Sequence, residues 1–290
     1  MTGRSRVTVV EPGLLALVQD LGRTGYAHLG VGRSGAADPV AMRLANRMLG
    51  NDESAPVVEV TNGGLVLTVD GPCLIAVTGA PLSVTVGARR RWTHEVIAVG
   101  AGEQVALGTP RQGLRSFLAV RGGFDVPPVL GSCSTDLLSG IGPAPLTAGT
   151  VLDVGLATDP RPTTDLVVAP PPPMPDEDVR LPVRIGPRDD WFEPEALRML
   201  FRSRFEVTPD SDRIGVRLDG PSMPRRIRSE LTSEGVVEGS LQAPPGGRLT
   251  VFGPDHPVTG GYPVIAVVRA RALPMVAQLR PGQGVRFHRG

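Results

Sequence analysis

Short apolar runs, rich in β-branched residues and ended every few positions by Gly, Pro or Asp, recur along most of the chain. They fall at 6–10, 14–18, 57–60, 65–69, 74–77, 82–86, 95–99 and 117–120, and again at 183–185, 249–252, 264–268, 275–277 and 285–287. Runs of this length with turn residues at both ends predict strands. Two segments carry helical spacing instead. Asp38-Pro39 sets a capping carboxylate before a proline at the first helical position, Val40, Leu44, Ala45 and Met48 follow at helical intervals, and Gly50 is a natural stop. A second helix is predicted from Glu193-Pro194, with Ala196, Leu197, Leu200 and Phe201 on one face. The predicted class is mainly β, with a few short helices.

The stretch 169–175, Ala-Pro-Pro-Pro-Pro-Met-Pro, cannot hold a regular ladder and reads as a stiff polyproline connection. It predicts an N-terminal β lobe over 1–168 with a helix near 39–49, a linker over 169–180 and a C-terminal β lobe over 181–290, with strands free to be exchanged across the boundary. Asp20-Leu-Gly-Arg-Thr-Gly-Tyr26 and Asp255-His-Pro-Val-Thr-Gly-Gly-Tyr262 form a quasi-repeat holding both tyrosines of the chain, which chance or an internal duplication would equally produce.

Composition changes the picture in two ways. The 37 glycines, 30 prolines and 4% aromatics suit many short strands and tight turns. All 30 basic residues other than histidine are arginine, so the chain supplies no P-loop lysine, no Schiff-base lysine and no lysine to carry covalent biotin. A net charge of +1 gives no broad field for nucleic acid or an anionic membrane. No apolar stretch reaches the ~18–20 residues that span a bilayer, and the first ten residues hold no signal-peptide core. Two cysteines, Cys73 and Cys133, argue against a disulfide framework and for a reducing, cytoplasmic setting.

Several segments could carry chemistry. Gly30-Val-Gly-Arg-Ser-Gly35 has the spacing of a dinucleotide fingerprint, but the alternation of strands and helices that a Rossmann unit needs does not follow. The segment is left as a substrate or anion loop, or a structural turn. Gln19-Asp20-Leu-Gly-Arg23 gathers an amide, a carboxylate and a guanidinium around one turn, fit either to grip a small amide or carboxylate or to pin the loop by an Asp–Arg pair. Asn46 on the first helix is a structural clamp or an amide reader. Glu59 ends a strand-like run as a site residue or a solvent-facing one. Gly131-Ser-Cys-Ser-Thr-Asp136 clusters hydroxyls without forming a nucleophile elbow. The four histidines have no metal-ligand spacing, so no metal site is expected. Asp255, with glycines close by, is the best carboxylate for general-base or amide-binding work, or else an ordinary turn residue before Pro257.

Taken in order, Val18-Gln-Asp-Leu-Gly-Arg23, Ser34-Gly-Ala-Ala-Asp38, Ala45-Asn-Arg-Met-Leu-Gly-Asn51, Gly131-Ser-Cys-Ser-Thr135, Asp212-Arg-Ile-Gly-Val-Arg-Leu218, Ser233-Glu-Gly235, Thr259-Gly-Gly-Tyr262 and Ala277-Gln-Leu-Arg-Pro-Gly282 resemble the KipA/PxpC family. That family is also called allophanate hydrolase subunit 2, or biotin-dependent carboxyltransferase-like. The resemblance departs at Ala37, where methionine is usual, at Cys133, where arginine is usual, and over Gly246-Gly-Arg-Leu249.

The resemblance implies β-barrel-like lobes of cyclophilin-like type. It also implies a subunit of an ATP-dependent 5-oxoprolinase, completed by a PxpB/KipI-like and a PxpA/LamB-like partner, with ATP used at an unspecified place in the complex. Two alternatives come with it: a carboxyltransferase or allophanate-type subunit acting on urea-like amides, and a non-enzymatic regulator of a KipI-like kinase inhibitor. It implies Asp255, Asn46, Arg23 and Arg213 as catalytic, Asp255 and Asn46 holding a small planar amide and either arginine facing charge on its oxygen. Gln19, Asp20, Ser34, Asp38, Glu59, Glu234, Gln242, Thr259 and Tyr262 are implied as substrate-binding.

Overall fold

Apolar alternation is realised as sheet along most of the chain in the computed structural model, which describes residues 5–157, 160, 162–245 and 248–290. Positions 1–4, 158, 159 and 161 of the first predicted lobe, and Gly246 and Gly247 of the departing segment, lie outside the described residues. The chain divides into two compact units. The first takes the described part of Met1–Arg23, Asp38–Asp136 and Gly140–Pro172; the second takes Thr24–Ala37, Leu137–Ser139 and Pro173–Gly290. Two excursions, 24–37 and 137–139, thus belong to the second unit although they precede the proline-rich stretch in sequence.

The first unit holds strands β1 (Arg6–Pro12), β2 (Leu15–Gln19), β3 (Val57–Thr61), β4 (Leu65–Val69), β5 (Cys73–Gly79), β6 (Ser83–Val86), β7 (Arg89–Trp92), β8 (Val96–Val99), β9 (Gln104–Leu107), β10 (Arg115–Val120), β11 (Phe124–Asp125) and β12 (Val151–Val154). Seven form one sheet in the order β11-β12-β1-β4-β9-β6-β7, and five form another in the order β2-β3-β10-β5-β8. Val7, Val9, Leu67 and Val84 from the first sheet and Val18, Val60, Ile75 and Leu118 from the second share one apolar core. Each such side chain stabilises the fold by about 1.5–3 kcal/mol when fully buried. Helix α1 (Pro39–Leu49) covers β5 and β10 on their other face. Strand β10 is consequently buried at every position, which is why its sequence is nearly continuous rather than alternating.

The second unit is a closed barrel of seven strands: β13 (Val179–Ile185), β14 (Phe205–Val207), β15 (Gly215–Asp219), β17 (Ser240–Gln242), β18 (Leu249–Phe252), β20 (Val264–Val268) and β21 (Gly284–Arg289). The ring closes through a parallel pairing of β13 with β21, Leu181 opposite Phe287. Two short strands, β16 (Glu234–Gly235) and β19 (Thr259–Gly260), pair apart from it. Helix α2 (Pro194–Arg202) packs Ala196 and Leu200 into the barrel core.

Residues 275–277, expected as a strand, belong to a short helix α3 (Leu273–Ala277). Pro274 sits at its start, where a missing N–H costs nothing and the fixed φ favours the helix. A three-residue apolar run carries no periodicity that separates the two states.

Candidate functional site

The buried carboxylate of the second unit is Asp255, in the turn after β18. The turn 253–255 runs beside 213–214, with Gly253 N–H donating to Ile214 O at 2.9 Å and Asp255 N–H to Arg213 O at 3.1 Å. A Cβ on Gly253 would strike the Arg213 backbone, so only glycine lets the two segments approach. That approach delivers Arg213, whose Nε and Nη2 donate to the two Asp255 oxygens at 2.9 and 3.0 Å. Both side chains are fully buried.

The two excursions complete the group. Ser34 Oγ donates to Asp255 Oδ1 at 2.6 Å, Leu137 N–H donates to Oδ2 at 3.2 Å, and Gly35 O accepts from Arg213 Nη2 at 2.6 Å. Ser34 has φ +53°, a left-handed conformation unusual for a residue with a side chain. Its hydroxyl and the neighbouring carbonyl are both held in place by the ion pair. The dinucleotide-like spacing at 30–35 is thus the spacing of a loop that wraps an Asp–Arg pair. Asp255 accepts four hydrogen bonds, about the capacity of a carboxylate. It acts here as a fixed anchor and not as a base with a free lone pair.

Beside this anchor lies a residue without a sequence signal. Glu238 is largely buried, and Arg33 Nη2 stands 4.0 Å from its Oε2. Burial raises its pKa above the ordinary Glu value and nearby Asp255 adds to the rise, while Arg33 and Arg213 oppose it. It lies in Val-Val-Glu-Gly, which resembles no motif.

The same unit holds a second polar group. Glu234 and Gly260 are register partners across β16 and β19. Arg188 reaches Glu234 Oε2 with Nε at 2.9 Å and Nη2 at 2.6 Å. Gln242 Nε2 donates to Tyr262 O at 3.1 Å, and a Cβ on Gly260 would lie 2.7 Å from that nitrogen. Thr259 and Tyr262 are exposed.

The remaining candidates lie in the first unit. Asp20 accepts from Gly22 N–H at 2.7 Å, Ser132 Oγ at 2.6 Å, Cys133 N–H at 2.6 Å and Ser134 Oγ at 2.5 Å. It therefore does not pin its loop through Arg23. That guanidinium donates to Ser134 O, and its Nη1 lies 4.0 Å from Asp136. Gln19 Nε2 donates to Thr135 O at 2.8 Å. Among the described residues, Arg23 Nε and Nη1 and Gln19 Oε1 are buried without a hydrogen-bond partner. Both members of the quasi-repeat are thus buried aspartates saturated by side-chain and backbone donors.

Asn46 is fully buried: Nδ2 donates to Ala55 O at 2.8 Å and Glu53 O at 3.4 Å, and Oδ1 accepts from Asn51 at 3.1 Å. Asp38 caps α1 through Ala41 N–H at 3.0 Å. Glu59, expected at a surface or site, is buried between β2 and β10 with Arg115 Nε 3.5 Å away. Cys73 and Cys133 are free thiols, both pushed up to about 11 by burial, Cys133 also by Asp20 and Asp125. Among the described residues no three or more His, Cys, Asp or Glu are grouped to hold a metal, and no helix is long and apolar enough to cross a membrane.

The family model described as carboxyltransferase domain, subdomain A and B, matches residues 29–289. The chain is 35% identical over 286 residues to the C-type subunit of the 5-oxoprolinase of Escherichia coli (strain K12), covering 96% of this chain and 89% of that protein. It is 32% identical over 303 residues to the urea amidolyase of Lachancea kluyveri, covering 96% of this chain but 16% of that protein. Among solved structures it matches TTHA0988 with a TM-score of 0.89 and 36% identity, over 99% of this chain and 56% of that one. The K. lactis urea amidolyase gives a TM-score of 0.90 and 31% identity, over 100% of this chain and 19% of the other. The chain thus spans little more than half of TTHA0988 and under a fifth of that urea amidolyase.

Proposed function

Because the chain belongs to the carboxyltransferase domain, subdomain A and B family, we propose that it is the C-type subunit of an ATP-dependent 5-oxoprolinase. The observation that carries this reading is the extent of the match to the corresponding E. coli 5-oxoprolinase protein, 96% of this chain and 89% of the relative. The complex would open the lactam of 5-oxoproline to glutamate, with PxpB/KipI-like and PxpA/LamB-like subunits, in a cytoplasmic setting. Adding water to the carbonyl carbon breaks the C–N bond, and the departing nitrogen takes up a proton; ATP hydrolysis drives the ring opening.

In this reading the Asp255–Arg213–Ser34 group is the fixed anchor of a half-site. Its charges are already paired, so it holds the loops around the site without reorganising. Glu238, whose proton affinity is raised, is the group of that unit suited to exchange a proton with the amide. We assign Asn46 and Asp38 to architecture, since their polar atoms serve the backbone around α1.

The test is reconstitution. The three purified subunits, given 5-oxoproline and ATP, should release glutamate and ADP, and this chain alone should release neither. No glutamate and no ATP turnover with all three present overturns the reading.

The match to urea amidolyase at a TM-score of 0.90 favours a second reading, a carboxyltransferase half acting on urea-like amides. These 290 residues hold no lysine, so any covalently carried biotin would lie outside them. Measurable carboxyl transfer from a biotinylated carrier would replace the first reading with this one.

A further inference from the structure

Toward its C-terminal end the second unit carries basic side chains without acidic ones. After Asp255 the chain has five arginines (269, 271, 280, 286 and 289) and no Asp or Glu, although its net charge is only +1. Strand β21 brings two of them beside β13, setting Arg286 opposite Arg180 and Arg289 opposite Val183. Helix α2 packs on β21. Between them lies an open cleft of about 380 Å³ lined by Arg198, Phe201, Arg202, Phe287, His288 and Arg289.

The charges in this cleft are unevenly paired. Glu195 holds Arg198 at 2.6 Å, and Asp178 holds Arg286 at 2.7 Å. Arg202 and Arg289 form no ion pair among the described residues; the Arg289 guanidinium lies 5.6 Å from the centre of the Phe201 ring. Nearby, burial lowers the pKa of Arg269 and the charges of Arg184 and Arg271 lower it further, so these guanidiniums are close enough to repel one another. Arg202 and Arg289 are therefore the cations of this cleft placed to take an external counter-charge. The forked guanidinium favours carboxylates taken two oxygens at a time.

We propose that this cleft docks an acidic segment of a partner protein in the complex, its carboxylates taken by Arg202 and Arg289. This role rests on the reading that the chain works in a heteromeric complex. A protein partner fits better than a nucleic acid because neither ring is offered for base stacking: Phe287 is buried and Arg289 covers Phe201.

The full chain and its R202E/R289E variant, each shown folded by circular dichroism and melting, are titrated with the purified PxpB/KipI-like and PxpA/LamB-like proteins at ~50 and ~500 mM NaCl, salt levels that leave and remove most of the screening length. Poly-L-glutamate and oligo-dT serve as probes of the two acidic classes. R90E on β7 is the control, since that strand lies in the first unit and its neighbours Arg89 and Arg91 are paired with Glu103 and Glu95. Charge reversal should weaken binding of one partner at least about tenfold at low salt, with the gap closing at high salt. Poly-L-glutamate should bind the full chain more tightly than oligo-dT, and R90E should change nothing.

If the double variant does not fold, R289A is measured in the same way and should lose at least about threefold at low salt. Equal affinity of wild type and variant, binding of neither partner, or preference for oligo-dT overturns the docking surface. A wild-type assembly that docks salt-sensitively but turns over no 5-oxoproline sinks the functional reading and leaves the docking surface standing.

Discussion

Among single residues, Asp255 carries the most consequence for the second unit. Removing it would leave Arg213 buried and uncompensated, so D255A should cost about 3–5 kcal/mol, read as a fall in the urea midpoint. Ser34 separates two effects at one position. S34A loses the hydrogen bond to Asp255 and keeps the left-handed backbone; S34G loses the bond and relieves the backbone. S34G should therefore be the more stable of the two by about 1 kcal/mol. Glu238 gives a pH signature. Its folded pKa is raised, so between the ordinary Glu value and the raised one the native state holds more protons than the unfolded state, and stability falls as pH rises through that window. E238Q removes the loss: its melting temperature should exceed wild type at about pH 8 and not at about pH 4. The thiols invert the usual expectation for exposed cysteine. With both pushed to about 11, iodoacetamide at about pH 8 should label them more than about tenfold slower than a model thiol.

Among elements, α1 shows how much a local signal can fix. Asp38, Pro39 and Gly50 mark its cap, first position and stop, and the helix runs Pro39–Leu49 with Gly50 at φ +66°. D38A should cost about 1 kcal/mol in thermal or urea unfolding. Elements lacking such punctuation are illegible in the sequence. Strand β7 is Arg-Arg-Arg-Trp, exposed at every position on a sheet edge, where no core imposes alternation. Strand β15 starts at a glycine and carries an arginine among its apolar residues. Neither pattern announces a strand; pairing to a neighbour makes each one. Close packing also fixes residues that a pattern cannot: a Cβ on Gly79, at the end of β5, would lie 2.5 Å from Arg115 O, and the residue has φ +89°. G79A should destabilise more than D38A, by over ~2 kcal/mol.

Taken as a whole, the chain builds its second unit from distant parts. Ser34 Oγ, Gly35 O and Leu137 N–H reach the Asp255–Arg213 pair from 24–37 and 137–139. A fragment spanning 173–290 would lack all three and keep a buried ion pair with vacant donors and acceptors. It should fail to unfold as a single cooperative transition, whereas the full chain should show one for this unit, as followed by circular dichroism and amide-proton NMR.

Strand length, capping and ordered motifs are local properties, and they suffice for the mainly β class, the first helix with both its ends, and the family. The same local reading picks out Asp255, Arg213 and Ser34, since each stands in a glycine-punctuated motif. It does not reveal that these three form one hydrogen-bonded group, or that Asn46 and Asp20 spend their polar atoms on neighbouring backbone and side-chain groups. Nor does it reveal that burial raises the pKa of Glu238, or that Arg202 and Arg289 line one cleft. Those facts came with the folded chain. Burial, counter-charge and lone-pair occupancy are set by residues brought together from far along the sequence, and no local window contains them.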